Sequence, residues 1–259
     1  MSPQSAKPSR NLFTGFTLDA PFVTETRRIL QTLGRRTQDS GERVFMVTSA
    51  ARGEGKSTIC ALLSIVAAKA LGRSTLIIDG DLRRPTVHQL LGISQRPGLL
   101  DVLEGRMSLD AAIRPTLLPK LCVISCGGHP HRPGEAYDDD KFDALIKKVR
   151  DKFDLVFVDC APVVPVVEPL LMAQHVDAVI AVVMAGKTPL PLVKRMREIL
   201  TPAAEKLVGV IVNNATSLLP YYYDYRYYGY QGYQTPVSKA PRAAVNADSR
   251  PSGPRASKP

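Results

Sequence analysis

Residues 44–58, VFMVTSAARGEGKST, pass from a β-branched apolar run into a glycine-rich turn that closes on Gly55-Lys56-Ser57. The stretch from Ser57 onward, STICALLSIVAAKAL, is apolar at helical spacing and carries Lys69 as its single charge. A strand, a glycine turn and a helix in that order make a P-loop, here with Ala50 at the place of the first glycine. Glycines let successive backbone N–H groups wrap a phosphate chain, and the N-terminus of the following helix adds positive potential. Arg52, Gly53, Glu54, Gly55, Lys56, Ser57 and Thr58 are therefore the expected nucleotide-binding residues. Lys56 would reach the outer phosphates and the Ser57 hydroxyl would ligate magnesium. A glycine turn ahead of a core helix explains the glycines but not the Gly-Lys-Ser order.

Outward from this loop, short apolar runs alternate with longer segments of helical spacing. The runs are Val44–Thr48, Ser74–Ile78, Leu121–Ile124, Leu155–Val158, Ala178–Met184 and Leu207–Val212. This alternation predicts an α/β fold: a P-loop NTPase-like, mostly parallel sheet with helices on both faces. Polar residues stand at several strand ends (Thr48, Ser49, Asp79, Asp159, Asn213), where ligands of open parallel sheets gather. The acidic run 138–140 is expected to cap a helix starting near Lys141, and Lys194–Glu198 to form the solvated side of another.

The chain has 259 residues and a net charge of +10, which splits as +3 over residues 1–45, +3 over 46–234 and +4 over 235–259. The excess thus sits mostly at the two ends, and nucleic-acid binding by the folded body is not expected. Residues 1–20 mix Ser, Pro, Lys and Arg without periodicity, and residues 235–259 hold five prolines and no aromatic side chain. Neither end can bury enough apolar surface to offset its ordering entropy, so both are expected to be disordered. The organisation read from sequence is an arm over 1–20, a P-loop domain over 21–218, a tyrosine cluster over 219–234 and a basic, proline-rich tail over 235–259. The longest apolar runs, Ile59–Leu71 and Ala178–Ala185, fall short of the about 18 residues of a membrane span. No secretory leader is evident in MSPQSAKPSR, and the four cysteines lack metal or redox spacing, so a reducing, cytoplasmic setting is expected. Cys126 with His129 and His131 is the remaining metal candidate, and packing or loop roles account better for all three.

Two further segments bring carboxylates to strand ends: LIIDGDLRRP, with Asp79 and Asp81, and LVFVDCAP, with Asp159. A carboxylate leaving a buried strand is costly without a partner, and magnesium beside a triphosphate supplies one. Asp79, Asp81 and Asp159 join Lys56 as candidate catalytic residues, with Ser57, Asp81 and Asp159 the metal ligands. Arg83 is open to two roles: steadying phosphate or tyrosine, or a structural ion pair. The strand GVIVNNA sets Asn213 beside the nucleotide, followed by Asn214-Ala215-Thr216 rather than Asn-Lys-x-Asp, which favours adenine over guanine.

Eight of the nine tyrosines fall within thirteen residues: Tyr221, Tyr222, Tyr223, Tyr225, Tyr227, Tyr228, Tyr230 and Tyr233. Neither period two nor period 3.6 describes their spacing, and Gly229 and Gly232 loosen it further. A set of accessible phenols next to a disordered tail reads, once the nucleotide site is admitted, as phosphate acceptors.

From about Pro21 to Tyr233 the chain resembles the bacterial tyrosine autokinases of capsule and exopolysaccharide synthesis. The resemblance is carried by SAARGEGKST, by IIDGDLR and DLRRPTVHQLLG with PGLLDVLEG after it, by VDCAP, and by the tyrosine cluster. It implies ATP- and magnesium-dependent phosphate transfer to tyrosines of a neighbouring subunit, with Asp79 as the base. It also implies a membrane polysaccharide co-polymerase whose cytoplasmic segment activates the kinase, a cognate tyrosine phosphatase, and peripheral attachment to the membrane through the co-polymerase. A homo-oligomeric ring would assemble through the Glu-x-x-Arg-x-x-Arg helix, present here from Glu25 to Gln31 with Glu25 and Arg28 kept and Gln31 in the last place. Relatives often carry Pro where Arg52 stands. Two other readings fit the same loop. A septum-site or partition ATPase shares the fold but has a signature lysine where this chain has Ala51, and an ATP-binding adaptor of an export complex would bind without transfer.

Overall fold

The computed structural model describes residue 12 and residues 20–130, 132–137 and 139–215. Seven strands form one sheet: β1 (Val44–Ser49), β2 (Thr75–Asp79), β3 (Arg114–Pro115), β4 (Leu121–Ile124), β5 (Leu155–Asp159), β6 (Ala178–Met184) and β7 (Leu207–Asn213). Their spatial order is β3-β4-β2-β5-β1-β6-β7, and every pairing is parallel except that of β3 with β4. The six expected strands all form, each within one residue of its expected limits. The added strand, β3, is two residues long and contains Pro115, which an edge position tolerates.

β1, β2 and β5 are buried along their whole length because helices cover both faces of the sheet. On one face, Phe45, Val47, Ile77, Phe157 and Ile180 meet α1 (Pro21–Ser40) and α2 (Lys56–Leu71). The Phe45 and Phe157 rings stack there with centroids 5.9 Å apart. On the other, Met46, Ile78, Val158 and Ala181 meet α4 (Leu99–Leu103), α6 (Asp139–Lys152) and α7 (Glu168–His175). Two single turns, α3 (Val87–Leu90) and α5 (Leu109–Ala112), flank α4, and α8 (Leu190–Ile199) precedes β7. No helix among the described residues is long and apolar enough to cross a membrane.

α2 buries Cys60, Ala61, Leu63, Ile65, Val66, Ala67 and Ala68, so it is apolar nearly all round, as an interior helix must be. α1 is one-sided: Val23, Leu30 and Leu33 face the core while Arg27, Arg28 and Gln31 are exposed. Glu25 and Arg28 lie on this helix, paired with each other at 2.9 Å. α6 starts at Asp139, with Asp139 and Asp140 in its first turn where the helix dipole favours negative charge; Asp138 is outside the described residues. In α8, Lys194, Arg195 and Arg197 are exposed, and Met196 anchors the helix in the core.

α4 is seated by backbone. Leu99 N donates to Ser125 O at 2.7 Å and Leu100 N to Cys126 O at 2.9 Å, while the Asp101 carboxylate accepts from Gly98 N at 3.0 Å. A Cβ on Gly98 would lie 2.0 Å from Ser125 O, so only glycine permits this approach.

Candidate nucleotide site at the carboxyl ends of the strands

β1 and β5 are neighbours at the centre of the sheet, and the loops leaving their carboxyl ends meet. Thr48 Oγ1 donates to Ala161 O at 2.7 Å, and Val163 N to Ser49 O at 2.8 Å. The turn after β1 runs through Gly53 and Gly55 at φ of 76° and 90°, values that glycine adopts freely, and delivers Lys56 as the first residue of α2. A Cβ on Gly55 would stand 2.1 Å from Asn213 Nδ2.

Lys56 turns inward onto the aspartates. Its Nζ lies 2.8 Å from Asp81 Oδ2, 3.4 Å from Asp159 Oδ1 and 3.0 Å from Ser57 Oγ. All four charged groups are buried: Asp79 and Asp159 are 0% exposed, Asp81 3% and Lys56 9%. Burial by itself would favour the neutral amine, but the Asp159 and Asp81 charges outweigh it and raise the Lys56 pKa. Asp79 is pushed well above the carboxylate range, first by burial and then by the Asp159 charge, with Lys56 opposing. Asp159 is raised by burial too, and Lys56 again opposes. A proton therefore binds more readily to Asp79 than to a carboxyl in water.

The structure brings Lys56, Asp79, Asp81, Asp159 and Ser57 together, as the sequence suggests. Asp79 Oδ2 accepts from Val87 N at 3.1 Å, while Asp79 Oδ1 and Asp159 Oδ2 are buried without a partner among the described residues. Orphaned buried carboxylate oxygens beside a hydroxyl form a hard-oxygen donor set, which fits magnesium. The described residues contain no closed group of three or more His, Cys, Asp or Glu that would hold a metal alone. Magnesium at a phosphate site does not need one, since phosphate and water fill most of its positions.

Arg52 is exposed on the crown of the loop and Thr58 is half-buried. Asn213 spends its amide on the loop itself, donating to Glu54 O at 2.9 Å. Arg83 is in an ion pair: its Nε and Nη2 both reach Glu168 Oε1 at 2.8 Å. Cys126 is buried and its thiol is pushed up to about 12, chiefly by burial, so it stays protonated and is a poor metal ligand. His129 Nε2 stands 3.4 Å from Gln95 Nε2; His131 and all eight clustered tyrosines lie outside the described residues.

The ninth tyrosine, Tyr137, is a site residue that sequence reasoning missed. Its hydroxyl donates to Gly80 O, between Asp79 and Asp81, while Gly80 N donates to Asp159 O at 2.8 Å. Burial, seconded by neighbouring thiols and aspartates, keeps the phenol protonated and hence a donor. Tyr137→Phe leaves this carbonyl with Leu82 N, at 3.1 Å, as its remaining partner and is expected to cost about 1 kcal/mol, read as a lower urea midpoint at constant slope. An unchanged midpoint would show that water replaces the phenol.

No model of a protein family matches the chain. Among curated proteins it is 30% identical over 233 residues to EpsB of Ralstonia nicotianae, covering 89% of this chain and 31% of EpsB. It is 33% identical over 191 residues to the tyrosine-protein kinase YwqD of Bacillus subtilis, covering 74% of this chain and 79% of YwqD. The succinoglycan biosynthesis transport protein ExoP of Rhizobium meliloti is 33% identical over 202 residues, 76% of this chain and 26% of ExoP. The chain thus spans about a third of EpsB and most of YwqD. Among solved structures, the chimerical protein CapA2B2 superposes with a TM-score of 0.73 at 29% identity, over 80% of this chain and 90% of that one. The septum-site protein MinD of Pyrococcus horikoshii, solved with Mg-ADP, gives 0.57 at 25% identity over 66% and 70%. The sheet is that of P-loop nucleotide-binding proteins, and the greater likeness in sequence and coverage lies with the kinases. With YwqD matched over most of its length, the chain belongs to the bacterial tyrosine-protein kinases of capsule and exopolysaccharide synthesis.

Proposed function

We propose that this chain transfers the γ-phosphoryl group of ATP to tyrosine side chains, its own cluster at 221–233 being the substrate presented to a neighbouring copy. The observation that carries this reading is Lys56 buried against Asp81 and Asp159, beside Asp79, in a chain whose tyrosines are gathered at one end. On this reading residues 21–218 are the catalytic domain and 219–234 the acceptor segment; the ends expected to be disordered, 235–259 and all of 1–20 but residues 12 and 20, lie outside the described residues.

A tyrosine phenol has a pKa near 10, so it is a weak nucleophile until a base takes its proton as transfer proceeds. Asp79 is that base. Its unpartnered Oδ1 accepts the proton while the phenol oxygen bonds to phosphorus and the bond to ADP breaks. Lys56 and the amides of residues 52–58 neutralise charge that develops on the transferred group. Ser57, Asp81 and Asp159 would hold magnesium, which when bound would screen the phosphate charge, and the phosphates would compete with the two carboxylates for Lys56. Asn213 borders the nucleotide and keeps the loop in place.

The likeness to ExoP supports a role in polysaccharide polymerisation and export, with the cytoplasmic segment of a membrane co-polymerase as activator and as tether to the membrane. A cognate phosphatase would reset the tyrosines, and α1 would supply the contacts of a homo-oligomer. A positioning ATPase is disfavoured by Ala51, which stands where those proteins carry a signature lysine.

The test is mass spectrometry of peptides spanning Tyr221–Tyr233 after incubation with ATP and magnesium, with and without the activator segment. Phosphotyrosine in that span is expected. ATP hydrolysis under every condition with unmodified tyrosines would favour the positioning ATPase, and binding without turnover the adaptor.

A further inference from the structure

The phosphate-binding turn carries a carboxylate for which an anion site has no direct use. Glu54 is 2% exposed, and both its oxygens are engaged. Oε2 accepts from Ala51 N at 2.7 Å, and Oε1 accepts from the Thr188 hydroxyl. Thr188 Oγ1 itself accepts from Met184 N at 2.9 Å, so the single hydroxyl proton is committed to Glu54. Two more bonds arrive from the same side: Lys187 Nζ donates to Gly53 O at 3.3 Å, and Asn213 Nδ2 to Glu54 O at 2.9 Å. Residues 53 and 54 are thereby tied to the ends of β6 and β7.

A negative side chain beside a polyphosphate opposes binding, and here it also consumes the Ala51 N–H. A residue that breaks the local rule of its site is kept for a compensating gain. The gain is shape. With Gly53 and Gly55 both at positive φ, the free turn has many conformations open to it, and affinity scales with the fraction of time it spends in the one that fits phosphate. We propose that Glu54 and Thr188 are positioning residues, a brace that holds the turn in its phosphate-ready form before nucleotide arrives. The proposal rests on the nucleotide-binding reading of the site, and neither side chain need touch the transferred group.

The experiment compares Thr188→Val, which keeps the shape and removes the hydroxyl, with Thr188→Ser, which restores it, both in the full chain. Two quantities are measured: hydrogen exchange of the Ala51 amide without nucleotide, and the dissociation constant for ATP beside kcat at saturating ATP. Thr188→Val is expected to speed exchange and to weaken ATP binding, each about tenfold, with kcat changed less than about twofold. Thr188→Ser should return both to the wild-type range. Glu54→Gln, whose single amide oxygen cannot accept from both Ala51 N and the Thr188 hydroxyl, should weaken binding alike, and the double variant should be no worse than either single one. Unchanged exchange and affinity in Thr188→Val overturns the brace, as do equal losses in Thr188→Ser or additive losses in the double variant. If wild-type protein fails to bind ATP while Ala51 exchange still follows Thr188, the brace stands and the nucleotide reading falls.

Discussion

Lys56→Met is expected to reduce phosphate transfer by about three orders of magnitude, below the background of an autoradiogram. The reason is twofold. Methionine fills the stem's space but brings no charge to the outer phosphates, and it strips Asp81 and Asp159 of a cation 2.8 and 3.4 Å away. Breaking a buried pair from one side costs about 3 kcal/mol even where a carboxyl relieves part of it by taking up a proton. The nucleotide-free variant should therefore melt about 6–12 °C below wild type, and magnesium should narrow the gap by giving the carboxylates another cation. Lys56→Arg separates the two effects: it keeps a cation among the aspartates, and so most of the stability, while its planar fork misplaces the charge at the phosphate. Full labelling by Lys56→Met would sink the P-loop mechanism.

The second large effect is expected at a backbone contact outside the nucleotide site. In Gly98→Ala the added methyl would sit 2.0 Å from Ser125 O and 2.5 Å from Gly127 N, both backbone atoms that cannot rotate aside. Relief requires α4 to lift from the end of β4, stretching the bonds from Leu99 N and Leu100 N. Overpacking of this kind costs about 3 kcal/mol, a fall in melting temperature of about 6–12 °C by circular dichroism. A change under about 2 °C would show that the β4–α4 junction is looser than its hydrogen bonds imply.

What could be read in advance follows from how each feature is encoded. The inner parallel strands were legible because they are buried from both sides, which forces an unbroken apolar run such as LVFVD or AVIAVVM, and β7, half-exposed at the sheet edge, was legible from its β-branched residues alone. β3 was not, since two residues with Arg114 and Pro115 carry no pattern. Lys56, Asp79, Asp81 and Asp159 were legible because their order around strand ends is itself the signal. Their supports were not. Tyr137, Glu168 and Thr188 act through contacts that exist only once distant strand ends converge, and nothing in their neighbours sets them apart in a linear chain. Arg83 stood open between two roles in the sequence; in the fold it is paired with Glu168.

The complete burial of β1, β2 and β5 has a consequence for how this molecule can change over generations. Strand substitutions disturb two cores at once and are removed for lack of stability, whereas substitutions in the turns at 50–55, 80–86 and 184–188 leave both cores intact and act on the site instead. Heritable novelty is thus channelled into three short loops. The same sheet can thereby stand in both MinD and the kinases while their loops differ.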